Sequence, residues 1–179
     1  MKKILFTVIC VFSFFSLNRA DINDVTFVKA IGITKENDYY KIIFNTILPE
    51  KGMDTSTYEI QSIVIEGKTI SEIFDSFLDN HYQQISFHQL ELLLIDTNCY
   101  ISFQDYIIPL TKQLPNLNFY VGVWKENNLI NFLYNRDSST EIVKKLKKKH
   151  YTMKNILVSY LDDNYLYIPS IEGGFIYET

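Results

Sequence analysis

The six residues from Lys144 to Lys149 include five lysines, Lys144, Lys145, Lys147, Lys148 and Lys149, and His150 follows them. Cations at this density suit one of two roles. They can meet anionic lipid headgroups, at about 1 kcal/mol per residue near the surface. They can also form a solvated helix face, placed at the end that the helix dipole favours. Ile142, Val143 and Leu146 give the same segment an apolar side, so either role needs a helix with one face buried. The histidines, His81, His88 and His150, have no metal-ligand spacing. There is no glycine-rich phosphate loop, no G-x-S-x-G elbow and no HExxH. Asp162-Asp163 and the pair Asp21/Asp24 read as turn and cap residues. With only Cys10 and Cys99, a disulfide framework and a four-cysteine zinc site are excluded. Cys99 lies among Tyr100, Ile101 and Phe103 without a basic neighbour, which suits a buried apolar filler. No nucleophile–base pair is visible, so a secreted hydrolase is disfavoured. No cofactor or metal is implied.

The elements that carry these residues must come from a chain of 179 residues, 47% hydrophobic and 15% aromatic, enough for one domain with a sizeable core. The formal charge of −4 shows no broad basic excess, so no nucleic-acid partner is expected. Met1-Lys2-Lys3 is a basic start, and Ile4 to Leu17 is uncharged and strongly apolar. As a helix those residues would span roughly 21 Å, short of the roughly 30 Å hydrocarbon layer. Residues 1–20 therefore read as a signal peptide or an uncleaved N-terminal anchor, and both export the rest. Without them, 14 basic residues face 21 acidic ones, a formal −7.

Val25 to Ile33 and Tyr39 to Leu48 read as two strands of a hairpin, with Lys35 to Asp38 as the turn. Tyr58 to Glu66 is a third strand. Thr69 and Glu72 fit a capping box before a helix whose apolar stripe is Ile70, Ile73, Phe74, Phe77 and Leu78. Leu90 to Ile95 is a central strand. Phe103 to Leu114 is a second helix bent at Pro109, and Asn118 to Trp124 is another strand. Leu129 to Asn135 is a short apolar piece. Helices follow over Ser139 to His150, capped by Ser139 or Thr140, and over Met153 to Leu161. Short strands are expected at Tyr165 to Ile168 and Gly174 to Tyr177. The fold class is α/β (α+β). A leading hairpin is followed by strand–helix–strand–helix–strand, giving a mixed sheet with parallel neighbours and helices packed on it.

Taken in order, these pieces resemble the N-terminal domain of the Ger(x)C family, the C subunits of spore germinant receptors. Asp21-Ile22-Asn23-Asp24 falls on that family's Glu-Leu-Asn-Glu stretch. Ala30-Ile31-Gly32-Ile33-Thr34 is similar to its strand end, and Gly67-Lys68-Thr69-Ile70-Ser71-Glu72 to its helix start. Ile85-Ser86-Phe87-His88, running into Leu92-Leu93-Leu94-Ile95, resembles its aromatic-x-His step. Leu166-Tyr167-Ile168-Pro169 and Gly173-Gly174-Phe175-Ile176 are similar to its last two segments. The resemblance covers about residues 21–178.

The resemblance implies a non-catalytic exported component of nutrient-triggered spore germination. It would act by protein–protein docking at the extracytoplasmic face of the inner spore membrane, beside the A and B membrane subunits. Gly32, Gly67, His88 and Pro169 are its structural motif positions, with His88 hydrogen-bonded where the apolar strand begins. The family's lipidated Cys would fall on Ser16, whose hydroxyl cannot replace the acceptor thiol, which puts lipidation in doubt. Residues 21–170 form the Ger(x)C-like domain. Residues 171–179 are expected as an orphan strand leading toward further domains that full-length members carry. The alternative is an exported adaptor or small-ligand-binding domain unrelated to germination, with a pocket beside the sheet.

Overall fold

The computed structural model describes residues 25–49, 58–80, 84–100, 110–112, 114, 116–126, 128–163, 167–172 and 174–177. The apolar start, the Asp21–Asp24 stretch and most of the helix expected around Pro109 lie outside these residues.

β1 (Val25–Glu36) is buried without interruption from Ala30 to Thr34. A strand of that kind needs cover on both faces. It turns at Asn37, whose φ of 56° is one that asparagine tolerates, into its antiparallel partner β2 (Tyr39–Pro49). β3 (Tyr58–Gly67) pairs antiparallel with β2. On the other side of β1 lie two strands parallel to it. β4 (Gln84–Ser86) runs beside Val25–Phe27, and β5 (Leu92–Asp96) beside Ala30–Ile33. β6 (Tyr120–Trp124) and β7 (Ser170–Glu172) continue the parallel run, and β8 (Phe175–Tyr177) closes the edge antiparallel to β7. The order is β3-β2-β1-β5-β6-β7-β8, with β4 beside β1. This is the expected mixed sheet with its leading hairpin. β4 was not legible in the sequence.

Lys29 forms a bulge in β1, because Val28 pairs with Thr46 and Ala30 already pairs with Asn45. The extra residue resets the alternation, so Val28 and Ile31 both enter the same core. The break between β4 and β5 meets the bulge there. The Glu91 N–H donates to the Lys29 carbonyl (2.9 Å), and the two side chains pair at 2.7 Å.

The sheet separates two hydrophobic cores. Leu93 and Ile95 of β5 point into one, and Leu92 and Leu94 into the other. The first face is covered by α1 (Ile70–Asp79), by Leu110 and Leu114, and by α5 (Met153–Asp163). The second is covered by α3 (Leu129–Tyr134) and α4 (Arg136–Lys149). A single turn, α2 (Thr97–Tyr100), follows β5 and buries Cys99. α1 begins at a modified capping box. The Glu72 N–H donates to Thr69 Oγ1 (3.2 Å), and the Glu72 carboxylate accepts from Lys68, one residue before the cap (3.1 Å). Phe77 of α1 stacks on Phe44 at 3.9 Å, and Phe74 meets that ring edge-on at 5.3 Å. Leu78, expected in the buried stripe, is exposed.

Three further expectations are corrected. α4 starts at Arg136, a turn before Ser139, because extended Asn135 alone separates it from α3. The strand expected over Tyr165 to Ile168 lies instead at β7. Pro169 has no N–H to donate, and its carbonyl accepts from the Val123 N–H (2.8 Å) just before the pairing starts. The strand expected as an orphan is paired, since β8 forms an edge hairpin with β7.

Gly32 lies under α3. A Cβ there would collide with Leu133 Cδ1 and stand 2.8 Å from Ile43 Cγ2. The missing side chain lets α3 rest directly on β1. Buried Asn45 then anchors the helix: its Nδ2 donates to the Leu133 carbonyl (2.7 Å) and its Oδ1 accepts from the Ser62 hydroxyl (2.9 Å). Gly32→Val is expected to cost about 1–3 kcal/mol by overpacking. Denaturant unfolding measures it, and an unchanged midpoint would contradict the close seating.

Candidate functional site

Two surfaces offer chemistry. The first is a cavity of about 580 Å³ at the carboxyl ends of the parallel strands β1, β5 and β6. Open parallel sheets commonly place ligands at this end, where successive loops diverge. Its walls include Lys35 and Glu36 from β1, Asp96 to Asn98 at the end of β5, Trp124 to Glu126 at the end of β6, and Asn128 to Asn131 at the start of α3. Asp96 braces it: its carboxylate accepts from the Cys99 N–H (2.7 Å), starting α2, and from the Lys35 N–H (3.2 Å), tying β5 to β1. The Thr97 hydroxyl donates to the Trp124 carbonyl (3.3 Å), tying β5 to β6. The Trp124 ring packs against Phe132 at 4.1 Å, and its indole N–H is buried with no acceptor among the described residues. The described lining holds no histidine, cysteine or serine. Amides and charges of both signs in such a cavity suit binding of a small polar molecule. Its lining was not predictable residue by residue, since its parts lie far apart in the chain.

The second surface is the outer side of α4. Ile142 and Leu146 are buried against the sheet. Lys144, Lys147, Lys148 and Lys149 are exposed. Lys145 is different. It pairs with Glu141 (2.9 Å), donates to the Gly174 carbonyl (2.7 Å) and sits 5.5 Å from the centre of the Phe175 ring. It therefore clips the β7–β8 turn to α4, a role that the lysine run concealed. Gly174 takes φ 72° at that turn, a value glycine adopts without strain. α4 ends at His150, whose left-handed φ of 59° makes it the C-terminal cap; its carbonyl accepts from Thr152 (2.8 Å) and Asn155 (2.9 Å).

The structure does not bring the motif residues together. Gly32 is in the central strand. Gly67 ends β3, where a Cβ would stand 2.7 Å from Ile73 Cγ1, so its absence lets α1 fold back on the strand. Pro169 precedes β7. His88 lies in the turn between β4 and β5 with its side chain exposed. Its backbone N–H makes a long contact to Ser86 Oγ (3.4 Å). A structural, hydrogen-bonded His88 whose removal destabilises the fold was expected; the exposed side chain does not support that role, and only its main-chain N–H makes a contact. His81 lies outside the described residues. Among those described, no cluster of His, Cys, Asp or Glu could hold a metal ion.

Two measurements follow. His88→Ala should change stability by no more than about 0.5 kcal/mol, as for other exposed side chains, and a loss of several times that in thermal unfolding would contradict the exposed placement. Glu141 is held below the usual carboxylate range by its hydrogen bond to Lys145, then by the charges of Lys145 and Lys144. A lowered folded-state value means that the pair's contribution is full above the unfolded carboxyl's pKa and is lost as pH falls through the folded one. NMR titration should give Glu141 a midpoint below that range, and Lys145→Gln should raise it. An unmoved midpoint would show the pair to be absent in solution.

Residues 18–172 match the family described as the spore germination protein N-terminal domain. No curated protein and no solved structure matches the chain. The matched range spans from before β1 through β7, and so takes in Gly32, Gly67, His88 and Pro169. This chain, with its hairpin-led sheet covered on both faces, therefore belongs to the spore germination protein N-terminal domain family.

Proposed function

We propose that the chain is a non-catalytic, exported component of nutrient-triggered spore germination, docking at the extracytoplasmic face of the inner spore membrane beside the A and B subunits of a germinant receptor. The observation that carries this reading is the family match over residues 18–172. The sequence supports export through its basic start and apolar residues 4–17. Among the described residues no helix is long and apolar enough to cross a membrane. Docking would use side chains that the fold leaves exposed, among them Tyr134 and Leu161 on helices and Phe175 and Tyr177 on the edge strand. An edge strand also offers unpaired backbone groups to a partner.

The cavity favours a second reading, a domain that holds a small polar ligand on its own. One experiment separates the two. Spores making a tagged copy of the chain are fractionated, and the tag is used to recover partners. The expected result is recovery from the inner-membrane fraction together with receptor A or B subunits. Recovery only from the medium of vegetative cultures would sink the germination reading. Binding of a small solute by the purified chain, with NMR shifts confined to Asn98, Asn128 and their neighbours, would favour the second.

A further inference from the structure

We infer that the outer face of α4, through Lys144, Lys147 and Lys148, is a contact surface for anionic lipid headgroups. This rests on the proposed membrane location and adds to it which face of the domain meets the bilayer. Successive α-helical residues are about 100° apart, so residues 144, 147 and 148 share one side and 142 and 146 the opposite one. The burial pattern agrees: Ile142 and Leu146 are in the core, and the three lysines are exposed. None of the three has an ion pair among the described residues, whereas their neighbour Lys145 is engaged by Glu141 and by the Gly174 carbonyl. Lys145 thus serves the fold, and the side chains of these three, with Lys144 also acting on Glu141 through its charge, face solvent.

Charge segregation selects the partner and the orientation. Apart from the five lysines of this run, 12 basic residues face 21 acidic ones, a formal −9. An anionic surface repels such a body as a whole and attracts the lysine cluster of α4, which favours approach through this helix. Nucleic acid would meet the same repulsion over its longer reach, whereas a planar headgroup layer need touch only this helix. Beside Lys145, the clipped β7–β8 turn presents Phe175, 65% exposed. Basic side chains with adjacent aromatics are the composition of interfacial membrane contacts.

The test is flotation of the full chain with vesicles of phosphatidylcholine alone or mixed with phosphatidylglycerol. Residues 1–20 are the same in every variant, so differences report the domain. Each lysine near an anionic surface is worth roughly a five-fold change in partitioning, and Lys144→Gln/Lys147→Gln/Lys148→Gln should weaken binding to phosphatidylglycerol roughly a hundred-fold. Binding to phosphatidylcholine should not change. Lys68→Gln/Lys112→Gln, two exposed cations elsewhere, should have little effect. Raising the salt should abolish the difference. Equal phosphatidylglycerol binding by the triple variant and the parent overturns the inference. So does an equal loss of binding to duplex DNA or to an acidic protein, which would mark a general polyanion surface. Neither result bears on receptor subunits recovered from spores, so the docking reading stands or falls separately.

Discussion

Burial of β1 on both faces is the constraint from which the rest of the structure follows. Its run from Ala30 to Thr34 has no polar side to give to water. Neighbours on both edges satisfy its backbone: β2 on one, β4 and β5 on the other. Its side chains then require a helical layer above and below. The aromatic set of Phe44, Phe74 and Phe77 closes one layer, and α3 and α4 close the other. Gly32 is the point where this demand is most acute, because α3 can cover the strand there only if nothing projects from it.

A sheet covered on both faces has few places left for partners. Its carboxyl ends remain open, and there the loops after β5 and β6 diverge around the cavity. The edge strand β8 remains open as well. So does the outward side of each covering helix, and on α4 that side is basic. These are the places the fold leaves open. Their chemistry is charge, amides and exposed aromatics, which suits recognition.

On α4, Lys145 serves the fold. Its bonds to Glu141 and to the Gly174 carbonyl hold the terminal hairpin against the helix. An exposed pair of this kind contributes little to stability. What it does is fix the place of Phe175, whose ring lies under the Lys145 ammonium. The same short segment therefore carries a cation turned to the fold and others turned to solvent, separated by their position around the helix.

Periodicity in the sequence determined the strands of the hairpin, the buried stripe of α1 apart from Leu78, the central strand β5 and the apolar side of α4. Burial acts locally through side-chain spacing, so these features are legible residue by residue. The order of the motifs likewise disclosed the family. Tertiary structure alone decided the rest. β4 is three residues long and owes its existence to β1. The start of β7 was set by pairing with β6 and by the missing N–H of Pro169. The exposure of His88 and the αL cap at His150 depend on how neighbouring elements pack. Asp96 becomes a brace only when the ends of β1 and β5 lie side by side. The cavity and the clip that Lys145 makes to Gly174 are relations between residues distant in the chain, and spacing along a chain does not encode distance across a sheet.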